Sequence, residues 1–183
     1  DVEAGLDFLR TQKGIDIKHV GLIGHSEGGS IAQMVAQKRS DVSFIIMIGG
    51  LAVDGGRDLY LQNEKILLGS GVPSATVSKY MTLFQMIIDT VKSNKTNDEK
   101  HQAIINILTE GKKNFSNDEL KYLPNLADER AIQAAANQFV LPWLQAFLRY
   151  DPQPVLKSLK CDILAIYGEK DVQVPAKENS EAF

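Results

Sequence analysis

The feature that most constrains this chain is a Gly-x-Ser-x-Gly segment between a buried-strand pattern and a helical pattern. The apolar run 19–24 is short, β-prone and apolar on both faces, which is typical of a strand inside a parallel sheet. After the segment, Ile31, Met34 and Val35 recur at helical spacing, which predicts a helix with these three residues on its apolar side. A second apolar run, 42–48, then ends at a Gly-Gly pair. Strand, helix and strand with short connections predict a βαβ unit with a right-handed crossover.

This pattern covers only the two ends of the chain, and the residues between them predict helices alone. Their apolar stripes at helical spacing are Tyr80, Phe84, Ile87 and Val91; Ile104, Ile105 and Leu108; and Ala131, Ala135 and Phe139. The strand pattern returns at 162–168, after a Pro-rich linker at 151–154. The sequence therefore predicts a three-layer α/β fold with a partial parallel sheet of about three strands. Residues 1–50 and 151–183 are the two parts of this core, and 51–150 are an inserted all-helical lid.

Composition and charge exclude several classes of protein. The chain has 20 Lys+Arg and 23 Asp+Glu, and its net charge of −3 provides no basic surface for nucleic acid. Its apolar runs are far shorter than the ~20 residues of a membrane-spanning helix. The single cysteine, Cys161, excludes an internal disulfide and a zinc site built from cysteines. We expect no signal peptide in the charged, amphipathic residues 1–12, while the compartment and the oligomeric state stay open.

Each position of the segment 24–28 suits a serine nucleophile. Ser26 would have to project from a tight strand-to-helix turn, so that its oxygen stands clear of the backbone. Such a turn brings main chains together, and Gly24 and Gly28 are expected to remove Cβ atoms that would clash. The backbone N–H of Glu27, at the helix N-terminus, would donate a hydrogen bond to a developing oxyanion. The alternative without chemistry is a strand-to-helix turn that merely favours glycine.

The same glycines could belong to a phosphate-binding loop, but the sequence argues against it. The spacing from Gly24 to Gly29 mimics G-x-x-x-x-G, yet Ser30 occupies the position of the phosphate-binding lysine. The dinucleotide-binding pattern G-x-G-x-x-G does not occur at this turn. A serine nucleophile is therefore the interpretation that the segment favours.

Two segments resemble the α/β-hydrolase superfamily. Residues 20–29, VGLIGHSEGG, look like its nucleophile elbow, and the HSEGG variant resembles bacterial serine esterases and serine aminopeptidase-like hydrolases with a helical lid. Residues 166–175, IYGEKDVQVP, resemble the superfamily's strand end followed by Gly-x-x-Asp and Val-Pro, which supplies the triad acid. By this resemblance Asp171 is the acid, although spacing alone would make it a solvated or helix-capping carboxylate. Asp54, after the preceding strand, is the alternative, because some relatives place the acid there.

The triad histidine has no candidate at its usual place in the chain. The family order is Ser, Asp, His, and no histidine follows Asp171. We expect His25 to point away from the nucleophile as a packing or hydrogen-bonding residue, His19 to lie at the opposite edge of the sheet, and His101 on a solvated helix face. The histidine is therefore expected outside this chain. Only a helix precedes the first strand, so the resemblance favours a central-to-C-terminal fragment that is inactive alone.

The resemblance implies a serine hydrolase of carboxylic esters, acting on a small-molecule substrate through an acyl-enzyme on Ser26. It implies no metal and no organic cofactor. The electrically neutral, aromatic-rich insertion favours an apolar or short acyl group, although such stripes are more often core packing. An aminopeptidase or acyltransferase of the same fold is one alternative, for which Glu64 or Asp89 could help to bind an amine. A non-catalytic binding module of this fold is the alternative from another class.

Overall fold

The computed structural model describes residues 1–183, which divide into two compact units. The first unit contains residues 1–54 and 151–183, and the second contains residues 55–150. Residues 51–54, which were predicted to belong to the insertion, lie in the first unit. None of the helices combines the length and the apolar character needed to cross a bilayer.

The elements alternate as the two ends of the sequence predicted. The strands are β1 (Leu22–His25), β2 (Phe44–Ile48) and β3 (Asp162–Ile166). The helices are α1 (Val2–Arg10), α2 (Glu27–Lys38), α3 (Gly55–Gly69), α4 (Ser74–Lys92), α5 (Asn97–Lys112), α6 (Asn117–Leu120), α7 (Glu129–Phe139), α8 (Pro142–Arg149), α9 (Pro152–Ser158) and α10 (Ala176–Ala182), with a 3₁₀ turn at Pro124–Leu126. The three strands form one parallel sheet in the order β1-β2-β3. The predicted α/β fold with a three-stranded parallel sheet is confirmed.

The sheet is covered on one face only. Successive side chains of a strand point to opposite faces, so Ile45 and Met47 of the central strand share one face and are fully buried. Helices α1, α2 and α9 pack on that face. On the other face Ile23 is 69% exposed and Leu164 is 52% exposed. The expectation that β1 is buried on both faces is therefore wrong for this chain.

Helix α2 packs on the sheet through small residues. Its buried positions include Gly29, Ala32 and Val35, whereas Ile31 is 38% exposed. The expectation that Ile31 shares the buried face with Val35 is wrong. The short side chains at the interface let the helix backbone approach the strands closely, and the turn before α2 sets the direction of this face.

The Pro-rich segment 151–154 is the start of a helix and not a linker. Asp151 caps α9, and its side chain accepts a hydrogen bond from the Gln153 backbone N–H at 3.0 Å. Pro152 occupies the first helical position, where proline is favoured because its missing N–H has no intrahelical partner. The same prolines that suggested a linker thus begin α9.

The second unit is helical, and its core contains most of the predicted stripes. Tyr80 and Phe84 of α4 are buried and their ring centroids lie 6.1 Å apart. Ile104 and Leu108 of α5 are also buried. The third stripe is displaced by one position. In α7 the buried residues are Ile132 and Ala136, with Ala135 and Phe139 packed beside the core of this unit.

Candidate functional site at the carboxyl ends of the strands

Ser26 forms the turn between β1 and α2 in a backbone conformation that no other non-glycine residue of the chain adopts. Its φ is 54° and its ψ is −122°. A side-chain-bearing residue with such a φ costs about 1–3 kcal/mol and is usually held by its surroundings. Here the Ser26 N–H donates to the Ile48 carbonyl at 2.9 Å, and the Ser26 carbonyl accepts from the Gly29 N–H at 2.9 Å. The turn is thus held on both sides, by β2 and by the first turn of α2.

Two glycines permit the close approaches around this turn. A Cβ on Gly24 would collide with the backbone carbonyl of Gly28, as the sequence led us to expect. A Cβ on Gly28 would meet nothing within 4 Å, so the clash expected there is absent and that expectation is wrong. The second close approach is at Gly29, where a Cβ would lie 2.8 Å from the Cα of Gly50. The Gly49-Gly50 pair at the end of β2 is the sequence feature from which this contact could have been predicted.

Glu27 is the first residue of α2 and is exposed. At this end of a helix the backbone N–H groups point outward along the axis and carry the positive end of the helix dipole. Helix α2 begins directly after Ser26, which is the arrangement that an oxyanion site at a helix N-terminus would require.

The Asp171 side chain is oriented by the loop that follows β3. Its Oδ1 accepts hydrogen bonds from the backbone N–H groups of Gln173 at 2.8 Å and Val174 at 3.0 Å. Its backbone N–H donates to the Gly168 carbonyl at 2.9 Å. The other carboxylate oxygen, Oδ2, lies 3.5 Å from the position that a Cβ on Gly49 would occupy. One oxygen is thus engaged by the loop while the other faces the end of β2.

Ser26 and Asp171 lie at the same edge of the sheet. Ser26 follows β1, Gly49 follows β2 and Asp171 follows β3, and the carboxyl ends of parallel strands share one edge. The backbone ladder continues past the strand ends, since the Gly49 N–H donates to the Ile166 carbonyl at 2.8 Å. This edge is where open α/β sheets place their ligand sites. Asp54, the alternative acid, is half-buried and directly precedes α3.

The three histidines lie elsewhere or face solvent. His25 is exposed, so packing, one of the two roles expected for it, is wrong, and the hydrogen-bonding role stays a prediction. His19 precedes β1, and its Nδ1 lies 2.6 Å from Asp16 Oδ2, a hydrogen bond that lowers the pKa of Asp16. His101 belongs to the second unit, and its Nε2 lies 2.8 Å from Asn137 Oδ1.

No group of three or more His, Cys, Asp or Glu side chains is arranged to hold a metal ion. The one cysteine, Cys161, is half-buried just before β3, and burial raises the pKa of its thiol. A raised pKa keeps this sulfur protonated and weakly nucleophilic at neutral pH. Serine therefore remains the nucleophile candidate in this chain.

The comparison with known families agrees with the geometry of the first unit. Residues 2–117 match the family described as BAAT / acyl-CoA thioester hydrolase C terminal. The match runs from α1 to the start of α6 and includes Ser26, while Asp171 lies beyond it. No curated protein sequence matches the chain significantly. Because the matched residues make up more than half of the chain, and their fold is the one described above, the chain belongs to this hydrolase family of the α/β-hydrolase superfamily.

Proposed function

We propose that this chain supplies the nucleophile and the acid of a serine hydrolase that cleaves acyl-CoA thioesters. The observation that carries the proposal is the positive φ of Ser26 at the carboxyl end of β1, in the part of the chain that matches the thioester hydrolase family. A strained serine at a strand-to-helix turn is the backbone arrangement of an α/β-hydrolase nucleophile.

The residues have separate roles in the proposed reaction. Ser26 Oγ attacks the acyl carbonyl while its proton passes to a histidine that this chain does not provide at the site. The resulting oxyanion accepts a hydrogen bond from the Glu27 backbone N–H. The C–S bond then breaks, the histidine returns the proton to the departing thiolate, and the acyl group stays on Ser26 until water releases it as the carboxylic acid. Asp171 Oδ2 orients the histidine and stabilises its cation.

A thioester substrate refines the carboxylic-ester hypothesis from the sequence. A thiol is a much stronger acid than an alcohol, with a pKa near 8.5 for a free cysteine. The leaving group of a thioester therefore departs with less help from a general acid than the alkoxide of an ester. Both substrates pass through the same acyl-enzyme, so the chemistry of Ser26 is common to the two hypotheses. The role of the helical unit as a lid over the acyl group stays a prediction.

The test is hydrolysis of acyl-CoA by the natural full-length protein, measured as released thiol, with p-nitrophenyl esters in parallel. Ser26→Ala is expected to lower kcat by about 10³-fold or more with both substrates. The matched control is Ser40→Ala, because Ser40 is exposed beyond the other end of α2 and should leave turnover unchanged. Faster turnover of esters than of thioesters would restore the ester hypothesis. Absence of turnover in the unmodified protein would instead support the non-catalytic binding module.

A further inference from the structure

Three amide side chains, of which two are fully buried and one is half-buried, converge on the loop between β2 and α3, and they link the elements that carry Ser26 and Asp171. We propose that two of them, Gln33 and Asn179, are positioning residues that set the separation of Ser26 and Asp171. The inference rests on the proposed function, because it concerns the geometry of that serine and that acid. Both side chains are fully buried.

The loop residues need these partners because their backbone is buried outside regular structure. Leu51 is 2% exposed and Ala52 is fully buried, yet residues 49–53 belong to neither a helix nor a strand. Buried backbone N–H and C=O groups without a helical or sheet partner must bond to something else or cost free energy. Side chains from other elements satisfy this requirement here.

The hydrogen bonds come from three helices. Gln33 of α2 donates through Nε2 to the Leu51 carbonyl at 2.8 Å. Asn179 of α10 accepts through Oδ1 from the Ala52 N–H at 2.8 Å and from the Val53 N–H at 3.2 Å. Gln153 of α9 donates to the carbonyls of Ala52 and Ala182, each at 2.8 Å.

The first link leads to Ser26. Gln33 is seven residues after Ser26, and residues at this spacing share one face of a helix. Between them, Gly29 packs against Gly50 at the start of the same loop. A shift of the loop relative to Gln33 is therefore expected to move the first turn of α2, where the Gly29 N–H donates to the Ser26 carbonyl.

The second link leads to Asp171. Asn179 Nδ2 donates to the Pro175 carbonyl at 3.1 Å, at the start of α10. Pro175 directly follows Val174, whose N–H donates to Asp171 Oδ1. A single asparagine thus uses its oxygen on the loop after β2 and its amide N–H on the segment that holds the acid. An amide can do both, whereas a carboxylate lacks the donor.

The test compares Gln33→Met and Asn179→Asp with Leu6→Ala in the natural full-length protein. Gln33→Met keeps the approximate volume and removes the donor to Leu51, and Asn179→Asp keeps the acceptor and removes the donor to Pro175. Leu6 is buried in the core of the same unit and takes part in none of these hydrogen bonds, so its truncation is the control for lost stability. The measurements are kcat, KM and the pH profile of kcat/KM well below each variant's Tm.

We expect either network variant to lower kcat by about 10-fold or more while KM stays within about 2-fold, since small displacements of reacting groups are costly. The apparent pKa of the histidine limb should also fall, because a displaced Asp171 stabilises the imidazolium less. Leu6→Ala should lower Tm and leave kcat and the apparent pKa of the histidine limb unchanged.

The inference is overturned if the network variants that fold retain the kcat and pH profile of Leu6→Ala at an equal loss of Tm. If one variant fails to fold, the other decides the question. Failure of the proposed function gives a different result, namely full activity in Ser26→Ala.

Discussion

The two edges of the sheet differ in how their backbones and charges are used. At the carboxyl edge Ser26 has a positive φ, Gly49 has a φ of 58°, and Gly29 packs directly against Gly50. In the connection that leads to the amino edge Gly14 also has a positive φ, of 87°, but no residue with a side chain does, and charged side chains hold the connections. Arg39, just before β2, contacts Asp41 through Nε at 2.9 Å and through Nη2 at 2.7 Å.

This difference distinguishes the candidate functional site at the carboxyl edge from the structural ion pairs at the amino edge. Strained backbone persists only where the surrounding structure over-determines it, and it concentrates at functional sites. Ion pairs that reach the surface contribute little free energy each, and they serve here to join the end of α1 to the start of β2. Equivalent substitutions at the two edges should therefore change different properties, activity at the carboxyl edge and pH-dependent stability at the amino edge.

The largest contrast should come from removing one carboxylate charge at each edge. Asp171→Asn is expected to lower kcat/KM for acyl-CoA by about 10²–10⁴-fold, because an amide does not stabilise the imidazolium. Asp41→Asn, the same change at the amino edge, should leave kcat/KM unchanged. Steady-state kinetics of the two variants measure the contrast, and equal effects would remove the functional distinction between the edges. If Asp54→Asn showed the large loss instead, Asp54 would be the acid.

The next largest difference is expected between the stability effects of alanine substitutions at Gly24 and Gly28. Gly24→Ala forces a Cβ into the Gly28 carbonyl, and relief of that overlap is expected to cost about 3 kcal/mol in the free energy of unfolding. Gly28→Ala introduces a Cβ into open space within α2 and should be neutral or slightly stabilising. Urea denaturation of both variants measures the difference. Comparable losses in the two would mean that the turn is not built on the Gly24 contact.

A smaller effect should reveal the strain at Ser26 itself. Glycine adopts a positive φ without penalty but loses about 0.5–1 kcal/mol of additional backbone entropy on folding. Against a strain of about 1–3 kcal/mol, Ser26→Gly should raise the free energy of unfolding by about 1 kcal/mol relative to Ser26→Ala. Chemical denaturation checks this difference, and both variants should be inactive. A Ser26→Gly protein less stable than Ser26→Ala would show that the conformation stores no strain.

The smallest effect concerns pH at the amino edge. Arg39 holds the pKa of Asp41 well below its ordinary value, mainly through their hydrogen bonds. A folded-state pKa below the unfolded value contributes stability that is complete from about one pH unit above the unfolded value of about 4, and that is lost as the pH falls toward the folded value. Asp41→Asn should therefore flatten the fall of Tm between about pH 5 and pH 2.5. The pair is partly exposed, so added salt should weaken the effect, and an unchanged Tm profile in the variant would contradict it.

Prediction from sequence succeeded where a local pattern decides the structure. The strand-turn-helix at Ser26 follows from periodicity and two glycines within a few residues, and the buried stripe of α4 follows from helical spacing. It failed where the outcome depends on what lies across the interface. The exposed position of Ile31 and the open space at Gly28 each depend on the direction of a neighbouring element. The helix that begins at Pro152 is a different kind of failure, because the Asp151 cap and the proline at the first helical position are local signals that also fit a linker.

The amide network was not predictable for the same reason. Gln33 and Asn179 are separated by most of the chain, and nothing in their local sequence distinguishes them from solvated polar residues. Only the packing of α2 and α10 around the loop after β2 buries them and pairs them with its backbone. What marks these two residues is that their polar side chains are buried, and burial is visible only in the folded molecule.

The amino-acid sequence determined the α/β fold, the parallel order of strands and the residue that stands at the turn after β1, because these depend on periodicity and on residues close in the chain. The tertiary structure alone decided which glycines are needed, where Asp171 directs its carboxylate, and which polar side chains join the two loops. These depend on distances of a few ångströms between segments far apart in sequence, and only the closed packing of the first unit sets such distances.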